Sequence, residues 1–336
     1  MSDQPRDRLG RPIHDLRISV TDSCNFRCPY CMPAEVFGDD YLFLRKEELL
    51  TFEEIARTAR IFASVGVVKL RITGGEPLLR PWLPDLVRML RAIEGIEDIA
   101  LITNGLLLEK MAEPLRSAGL GRLTVSLDSL RPQTFAKLSG RGHRLEQVLA
   151  AIEGAHAAGF GRIKINTVVE RGVNDDEVVD FVAHFRGSGD IVRFIEYMDV
   201  GTLNGWSRSR VVPSKELVER IEKVYPLEQA EANYAGEVAR RYRLRDGSGE
   251  IGFISSISEP FCGACSRARL SADGKLYTCL FARAGHDLMT LLRSGATDGE
   301  IEQTIRSIWS SRADRYSEER LSALKNQKVE MFRIGG

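Results

Sequence analysis

The sequence predicts an α/β fold built on a parallel sheet. Six short β-branched and apolar runs lie at residues 16–20, 67–73, 99–103, 123–127, 163–169 and 191–198, segments of helical period separate them, and the connections are short. That alternation is the signature of βαβ units. With 336 residues, the chain is long enough for one large α/β domain or two average ones, and for a sizeable buried core.

Each element has its own signal. After the first strand, Thr51 opens a helix. Glu54, three positions on, completes a capping box ahead of Ile55, Ala59 and Phe62, and Gly66 ends the helix. Residues 143–159 and 174–185 read as further helices, the second with Asn174 as N-cap and Asp175, Asp176 and Glu177 in its electropositive first turn. After residue 200 the alternation stops. Asn204-Gly205 and Asp246-Gly247 are turn signals, residues 241–258 read as a hairpin, and 270–280 as another around Ala272-Asp273-Gly274. Residues 287–311 read as helix interrupted at Gly295, and the tail 326–336 ends in Gly335-Gly336. Periodicity alone leaves a doubly wound sheet and an incompletely closed barrel both open.

Polar residues inside the strands point toward a ligand. Lys69 and Arg71 are two apart, as are Lys164 and Asn166, so each pair projects from one face of its strand, and Arg17 and Arg193 also lie within strand runs. Such charges are costly in a packed core but suit an anion held inside an open barrel. The alternative is a set of strand edges facing water. Forty-seven Lys plus Arg balance forty-seven Asp plus Glu, which excludes a bulk field for nucleic acid or anionic membrane, so an anion site must be local. The N-terminal run MSDQPRDRLG carries no apolar segment, and no apolar stretch nears the length of a membrane span. A cytoplasmic protein, with no membrane or nucleic-acid partner, is expected.

The six cysteines form two triplets: Cys24, Cys28 and Cys31 in C-x3-C-x2-C spacing, and Cys262, Cys265 and Cys279 in C-x2-C-x13-C spacing. Three thiolates in an eight-residue loop can hold three irons of a cubane, whereas a closed structural zinc site wants four ligands. No histidine lies near the first triplet in sequence, and the fourth iron is left open to a small molecule. For the second triplet, zinc with an unseen fourth ligand is the alternative. Against it, Arg267 and Arg269 lie between Cys265 and Cys279, and arginine forks suit phosphate or carboxylate oxygens. The five histidines, His14, His143, His156, His184 and His286, show no catalytic spacing and are assigned no chemistry.

The segment Cys24-Asn-Phe-Arg-Cys28-Pro-Tyr30-Cys31, followed at the second strand by Gly74-Gly75-Glu76-Pro77, resembles the radical S-adenosylmethionine (SAM) enzymes. The two triplets together, the Arg267/Arg269 pair, Gly10-Arg11-Pro12, Thr103-Asn104-Gly105, residues 193–199 and the terminal Gly-Gly resemble more closely their GTP 3′,8-cyclase family, over nearly the whole chain. The resemblance implies an incomplete (β/α)6 TIM-like barrel in residues 1–200 with a first [4Fe-4S] cluster, and a C-terminal α+β region in 201–336 that carries a second cluster and closes the barrel below.

It further implies that SAM, bound by the open iron, meets Tyr30, Gly75, Ser126 and Met198 and is cleaved by one electron to a 5′-deoxyadenosyl radical. GTP would lie between the clusters, with its guanine on the second. Arg17, Lys69, Arg71, Thr103, Lys164, Arg193, Arg267, Ala268 and Arg269 are the implied nucleotide contacts, among which Arg17, Arg267 and Arg269 are candidate catalytic residues. Gly335-Gly336 would reach into the site. An external one-electron donor, a homodimer and a following enzyme of molybdopterin biosynthesis are the implied partners. Two readings compete: another auxiliary-cluster radical SAM enzyme acting on a peptide, and a non-catalytic zinc-binding protein.

Overall fold

A computed structural model describes residues 4–234, 236–320 and 327–336; residues 1–3 of the N-terminal run and residue 326 at the start of the tail lie outside them. Among the described residues, twelve strands form one sheet. They are β1 (Asp15–Ser19), β2 (Lys69–Thr73), β3 (Asp98–Thr103), β4 (Arg122–Ser126), β5 (Lys164–Val169), β6 (Ile191–Glu196), β7 (Leu227–Ala230), β8 (Arg240–Leu244), β9 (Glu250–Ile254), β10 (Arg267–Leu270), β11 (Lys275–Tyr277) and β12 (His286–Asp287). The order is β12-β11-β10-β1-β2-β3-β4-β5-β6-β9-β8-β7. Pairing is parallel from β10 through β9 and antiparallel in the hairpins beyond either edge.

The six strands expected from the sequence are all present, but the parallel run has eight members. β10 docks beside β1 and β9 beside β6, so the C-terminal region extends both sides of the sheet. A single cavity touches residues of all eight parallel strands, which requires the sheet to curl around it. This separates an open, TIM-like partial barrel from a doubly wound sheet.

Alternation explains both faces. Leu16, Ile18, Leu70, Ile72, Leu123, Val125, Ile165, Val192 and Phe194 point outward into a continuous apolar core. The helix Phe52–Ser64 buries Ile55, Ala59 and Phe62 there, with the Thr51/Glu54 capping box formed. Full burial of each large side chain contributes about 1.5–3 kcal/mol. The alternate strand positions turn inward.

One local expectation is corrected. The helix after β5 is Val178–Phe185, with Glu177 rather than Asn174 at its N-cap. Asn174 instead donates to the Asp128 and Val168 carbonyls at 2.6 and 2.9 Å, tying β4 to β5, and Glu177 accepts from Ser129 and Leu130. The helical stretch 287–311 is interrupted at Gly295 as expected, with Met289–Arg293 before it, Asp298–Ser311 after it and the glycine at φ +86°. No helix among the described residues is long and apolar enough to cross a membrane.

Candidate active site

The first cysteine triplet follows β1 directly. Its loop is turned by Cys31 and Met32 N–H groups donating to the Cys28 carbonyl at 2.9 and 2.8 Å. Buried Arg27 donates to the Cys24, Phe26 and Phe37 carbonyls, holding the loop from behind. Gly74 and Gly75 lie against the approach to this loop. A Cβ on Gly75 would sit 2.3 Å from the Ser23 carbonyl oxygen, and one on Gly74 2.5 Å from that of Thr21. These glycines are therefore required first by the close approach of two backbone segments.

Glu76, next in line, is buried and accepts from Leu78 N–H, Thr103 Oγ1 and Asn104 N–H at 3.0, 2.7 and 2.7 Å, knitting the ends of β2 and β3. Burial pushes its carboxyl up to about 7. Asp128 accepts from the Tyr30 hydroxyl and from Val168 N–H, each at 2.8 Å, and burial pushes it up to about 6. His143, distant in sequence, stacks on Phe26 with ring centroids 4.8 Å apart and lies 3.0 Å from the Asn25 carbonyl, packing on the cluster loop without joining the cysteines.

The inner face of the barrel is cationic because of strand register. Arg17 on β1 is level with Arg269 on β10 and Arg71 on β2. On the opposite wall Lys164 and Arg193 project from β5 and β6, and Gly252 of β9 leaves room beside the Arg193 side chain. Burial, then the neighbouring cations, lower these groups: Arg17 well below its ordinary value, Arg269 to about 10, Arg193 to about 9 and Lys164 to about 7. Gathering like charges in a dry interior is unfavourable unless an anion joins them.

The second triplet flanks β10. Arg267 Nη2 lies 3.2 Å from Cys265 Sγ. Burial alone would raise that thiol, but Arg267 and then Arg312 bring it down to about 6. The C-terminal tail completes the wall: the Gly335 carbonyl accepts from Arg269 Nη1, and Met331, Phe332 and Gly336 line the cavity. Gly335 has φ +73°, and a Cβ there would meet Thr73 Cγ2 at 2.3 Å.

The resulting cavity of about 290 Å³ is lined by all six cysteines. It is also lined by Arg17, Tyr30, Arg71, Gly75, Thr103, Ser126, Lys164, Arg193, Met198, Arg267 and Arg269. Two of the expected residues are not brought into its lining. Ala268 points to the opposite face of β10, fully buried in the core, because its neighbours Arg267 and Arg269 take the inward positions. Lys69, at the start of β2, sits 3.7 Å from Asp98 Oδ2 and donates to the Tyr234 hydroxyl at 3.2 Å. Asp128, Tyr234 and Glu237, not singled out from sequence, also line the cavity, as do Glu76 and Asn104, which the sequence showed only as members of the Gly74-Gly75-Glu76-Pro77 and Thr103-Asn104-Gly105 motifs. Single polar residues at strand ends, or in a loop without period, carry no spacing signal.

All three thiols of each triplet open onto the cavity. Three thiols per triplet suit a cubane that keeps one iron open, whereas a closed zinc site takes four ligands, so the donor set fits a cluster. Burial, with Glu76 nearby, pushes Cys24 up to about 12, and burial with Asp128 nearby raises Cys28. Such thiols surrender their protons when metal binds.

Comparison with known proteins identifies the family. Residues 18–185 match the Radical SAM superfamily model and residues 190–318 match Molybdenum Cofactor Synthesis C. A GTP 3′,8-cyclase of Xanthomonas axonopodis pv. citri (strain 306) is 55% identical over 332 residues, 98% of each chain. One from Staphylococcus saprophyticus subsp. saprophyticus is 48% identical over 341 residues, covering all of both chains. Among solved structures, Streptococcus suis SuiB bound to S-adenosylmethionine aligns at TM-score 0.63 and 15% identity, over 88% of this chain and 68% of its own, a likeness of fold. By its identity to these full-length relatives, the chain belongs to the GTP 3′,8-cyclase family of the radical SAM superfamily.

Proposed function

We propose that the protein converts GTP to (8S)-3′,8-cyclo-7,8-dihydroguanosine 5′-triphosphate in molybdenum cofactor biosynthesis, using SAM and two [4Fe-4S] clusters. One observation carries this reading: both thiol triplets and six inward cations, Arg17, Arg71, Lys164, Arg193, Arg267 and Arg269, line the same cavity. A triphosphate brings about four negative charges into an otherwise near-neutral protein, which gives these cations a partner.

When bound, the cluster on Cys24, Cys28 and Cys31 supplies the electron that cleaves SAM. Tyr30, Gly75, Ser126 and Met198 hold SAM beside that triplet. Arg17, Arg71, Lys164 and Arg193 take the nucleotide's phosphates, with Thr103 at the rim. Arg267 and Arg269 orient it over the Cys262, Cys265 and Cys279 side, and Arg17, Arg267 and Arg269 stabilise charge as C3′ is held against C8 for ring closure. Lys69 contributes to the field from beneath through Tyr234, and Ala268 contributes only as the small residue that lets β10 pack. We place the SAM half of the site in residues 1–200 and the second metal site in 201–336, in a cytoplasmic homodimer served by an external one-electron donor. The product passes to the next enzyme of molybdopterin biosynthesis.

The test is anaerobic reconstitution followed by incubation with SAM, dithionite and either GTP or ATP. About eight irons per chain, 5′-deoxyadenosine formed with GTP rather than ATP, and a new isomer of GTP support the reading. Indifference to GTP would retain the radical enzyme and discard the substrate. Zinc without iron would overturn the whole.

A further inference from the structure

The N-terminal Gly10-Arg11-Pro12 motif lies outside the cavity, yet it reaches the second triplet. A tight turn, with Gly10 at φ +74° and its N–H 2.9 Å from the Asp7 carbonyl, sets Asp7 and Arg11 side by side. Asp7 Oδ2 accepts from Arg11 Nε at 2.6 Å and from Arg312 Nη1 at 3.0 Å. All three side chains are almost wholly buried, at 0%, 3% and 1% exposure.

Both guanidiniums also donate to backbone carbonyls in and beside the second metal loop, while Arg11 Nη2 is buried without a hydrogen-bond partner among the described residues. Arg11 Nη1 donates to the Cys262 carbonyl at 2.6 Å and to that of Asp314 at 2.9 Å. Arg312 Nη1 donates to the Cys265 carbonyl at 2.7 Å, and its Nε to the carbonyl of Thr278, the residue before Cys279, at 3.1 Å. Each of the three thiol positions is thus tied, at its own or the preceding carbonyl, to one buried Asp-Arg-Arg triad. Trp309 fixes the triad from outside: its Nε1 donates to the Arg11 carbonyl at 3.0 Å and its ring lies 4.6 Å from the Arg312 guanidinium.

A buried ion triad is a poor source of stability compared with apolar packing, because desolvation offsets its attraction. What it supplies that apolar residues cannot is rigid, directional donors to carbonyls in the segments that flank the β10–β11 hairpin. We propose that Asp7, Arg11 and Arg312 are positioning residues for the second metal site. They hold the Cys262, Cys265 and Cys279 loop in register and set where the cluster stands relative to the nucleotide. The inference rests on the two-cluster reading above.

The test compares reconstituted wild-type protein with Arg312→Lys and Asp7→Asn. Lysine keeps the charge but cannot span two carbonyls and the carboxylate. In Arg312→Lys we expect iron to fall from about eight to about four per chain, with the SAM-responsive electron paramagnetic resonance signal and the circular dichroism spectrum unchanged. In Asp7→Asn we expect the iron of the second site to be lost to a chelator at least about threefold faster than in wild type. Wild-type iron content, spectrum and chelator kinetics in both variants would overturn the proposal. So would loss of both clusters together with the circular dichroism signal, since the triad would then support the whole fold.

Wild-type protein holding only about four irons would instead sink the two-cluster reading. The brace would then be read in metal-free protein, where Arg312→Lys should speed iodoacetamide labelling of Cys262, Cys265 and Cys279 at least about tenfold without affecting Cys24, Cys28 and Cys31. Equal labelling rates would overturn it.

Discussion

Lys328 Nζ lies 2.9 Å from Asp199 Oδ2, so the C-terminal tail is fastened to the residue that follows Met198 in the cavity wall. The same carboxylate accepts from Tyr316 and from Arg320 Nε, and these donors hold it below the usual carboxylate range despite its burial. Two residues on, Glu330 accepts from Thr202 N–H and Oγ1 at 2.8 and 3.0 Å. The tail therefore enters the barrel already anchored, and delivers the Gly335 carbonyl to Arg269.

Deleting Gly335-Gly336 removes that carbonyl from a buried guanidinium, a charge-assisted bond worth roughly 1.5–3 kcal/mol. Cyclisation should fall about tenfold or more while 5′-deoxyadenosine formation continues, so the ratio of deoxyadenosine to cyclised product rises. Asp199→Asn, which loosens the anchor and leaves the glycines in place, should give an intermediate ratio. Chromatographic quantitation of both products decides it, and an unchanged ratio in the deletion would remove the tail from the chemistry.

Arg17, Arg267 and Arg269 face one cavity from adjacent strands. Replacing any one by Ala should lower cyclisation about 10²–10³-fold, the usual cost of a lost donor where charge develops. Iron and sulfide per chain should remain at wild-type values. Loss of iron in Arg17→Ala would make it structural instead.

Lys164 gives a pH dependence with a definite sign. Burial and then Arg193 lower it to about 7, so above that pH the free protein carries it neutral. A bound triphosphate raises its pKa, so nucleotide binding takes up a proton. Affinity should therefore weaken as pH rises from 7 toward the bound value, and uptake should vanish well below pH 6, where both states are protonated. Isothermal titration with GTP at pH 8, in buffers of different ionisation heat, measures it. Uptake should approach one proton and disappear in Lys164→Arg; equal uptake in that variant would assign the proton elsewhere.

What the sequence disclosed was what repeats locally. Strands β1 to β6 were legible from alternation, and the first triplet from spacing within eight residues. The docking of β10 on β1 was not, because Asp15 and Arg267 are paired across almost the whole chain and the short run Arg-Ala-Arg-Leu shows only one charged face. Asn174 misled as a helix cap because its amide found carbonyls on β4 and β5, partners that no local window contains. Glu76 and Asp128 are single acids at strand ends whose burial, and hence whose raised carboxyls, depend on strands folded from elsewhere.

Gly75 tests how rigidly the second strand supports the first triplet. A methyl at this position would lie 2.3 Å from the Ser23 oxygen and 2.6 Å from that of Asp22, and both are backbone, which cannot rotate aside as a side chain would. The segment entering Cys24 must then move, and Gly75 N–H, which donates to the Thr21 carbonyl at 2.8 Å, must move with it. Gly75→Ala should therefore lose the first cluster selectively, leaving about four irons per chain and abolishing SAM cleavage. Gly161→Ala, where a methyl meets nothing within 4 Å, is the matched control and should behave as wild type. Full iron content with SAM cleavage lost in Gly75→Ala would assign the glycine to contact with SAM rather than to packing of the two backbones, and full iron content with SAM cleavage retained would show that the approach to Cys24 yields to a methyl group and that neither role requires the glycine.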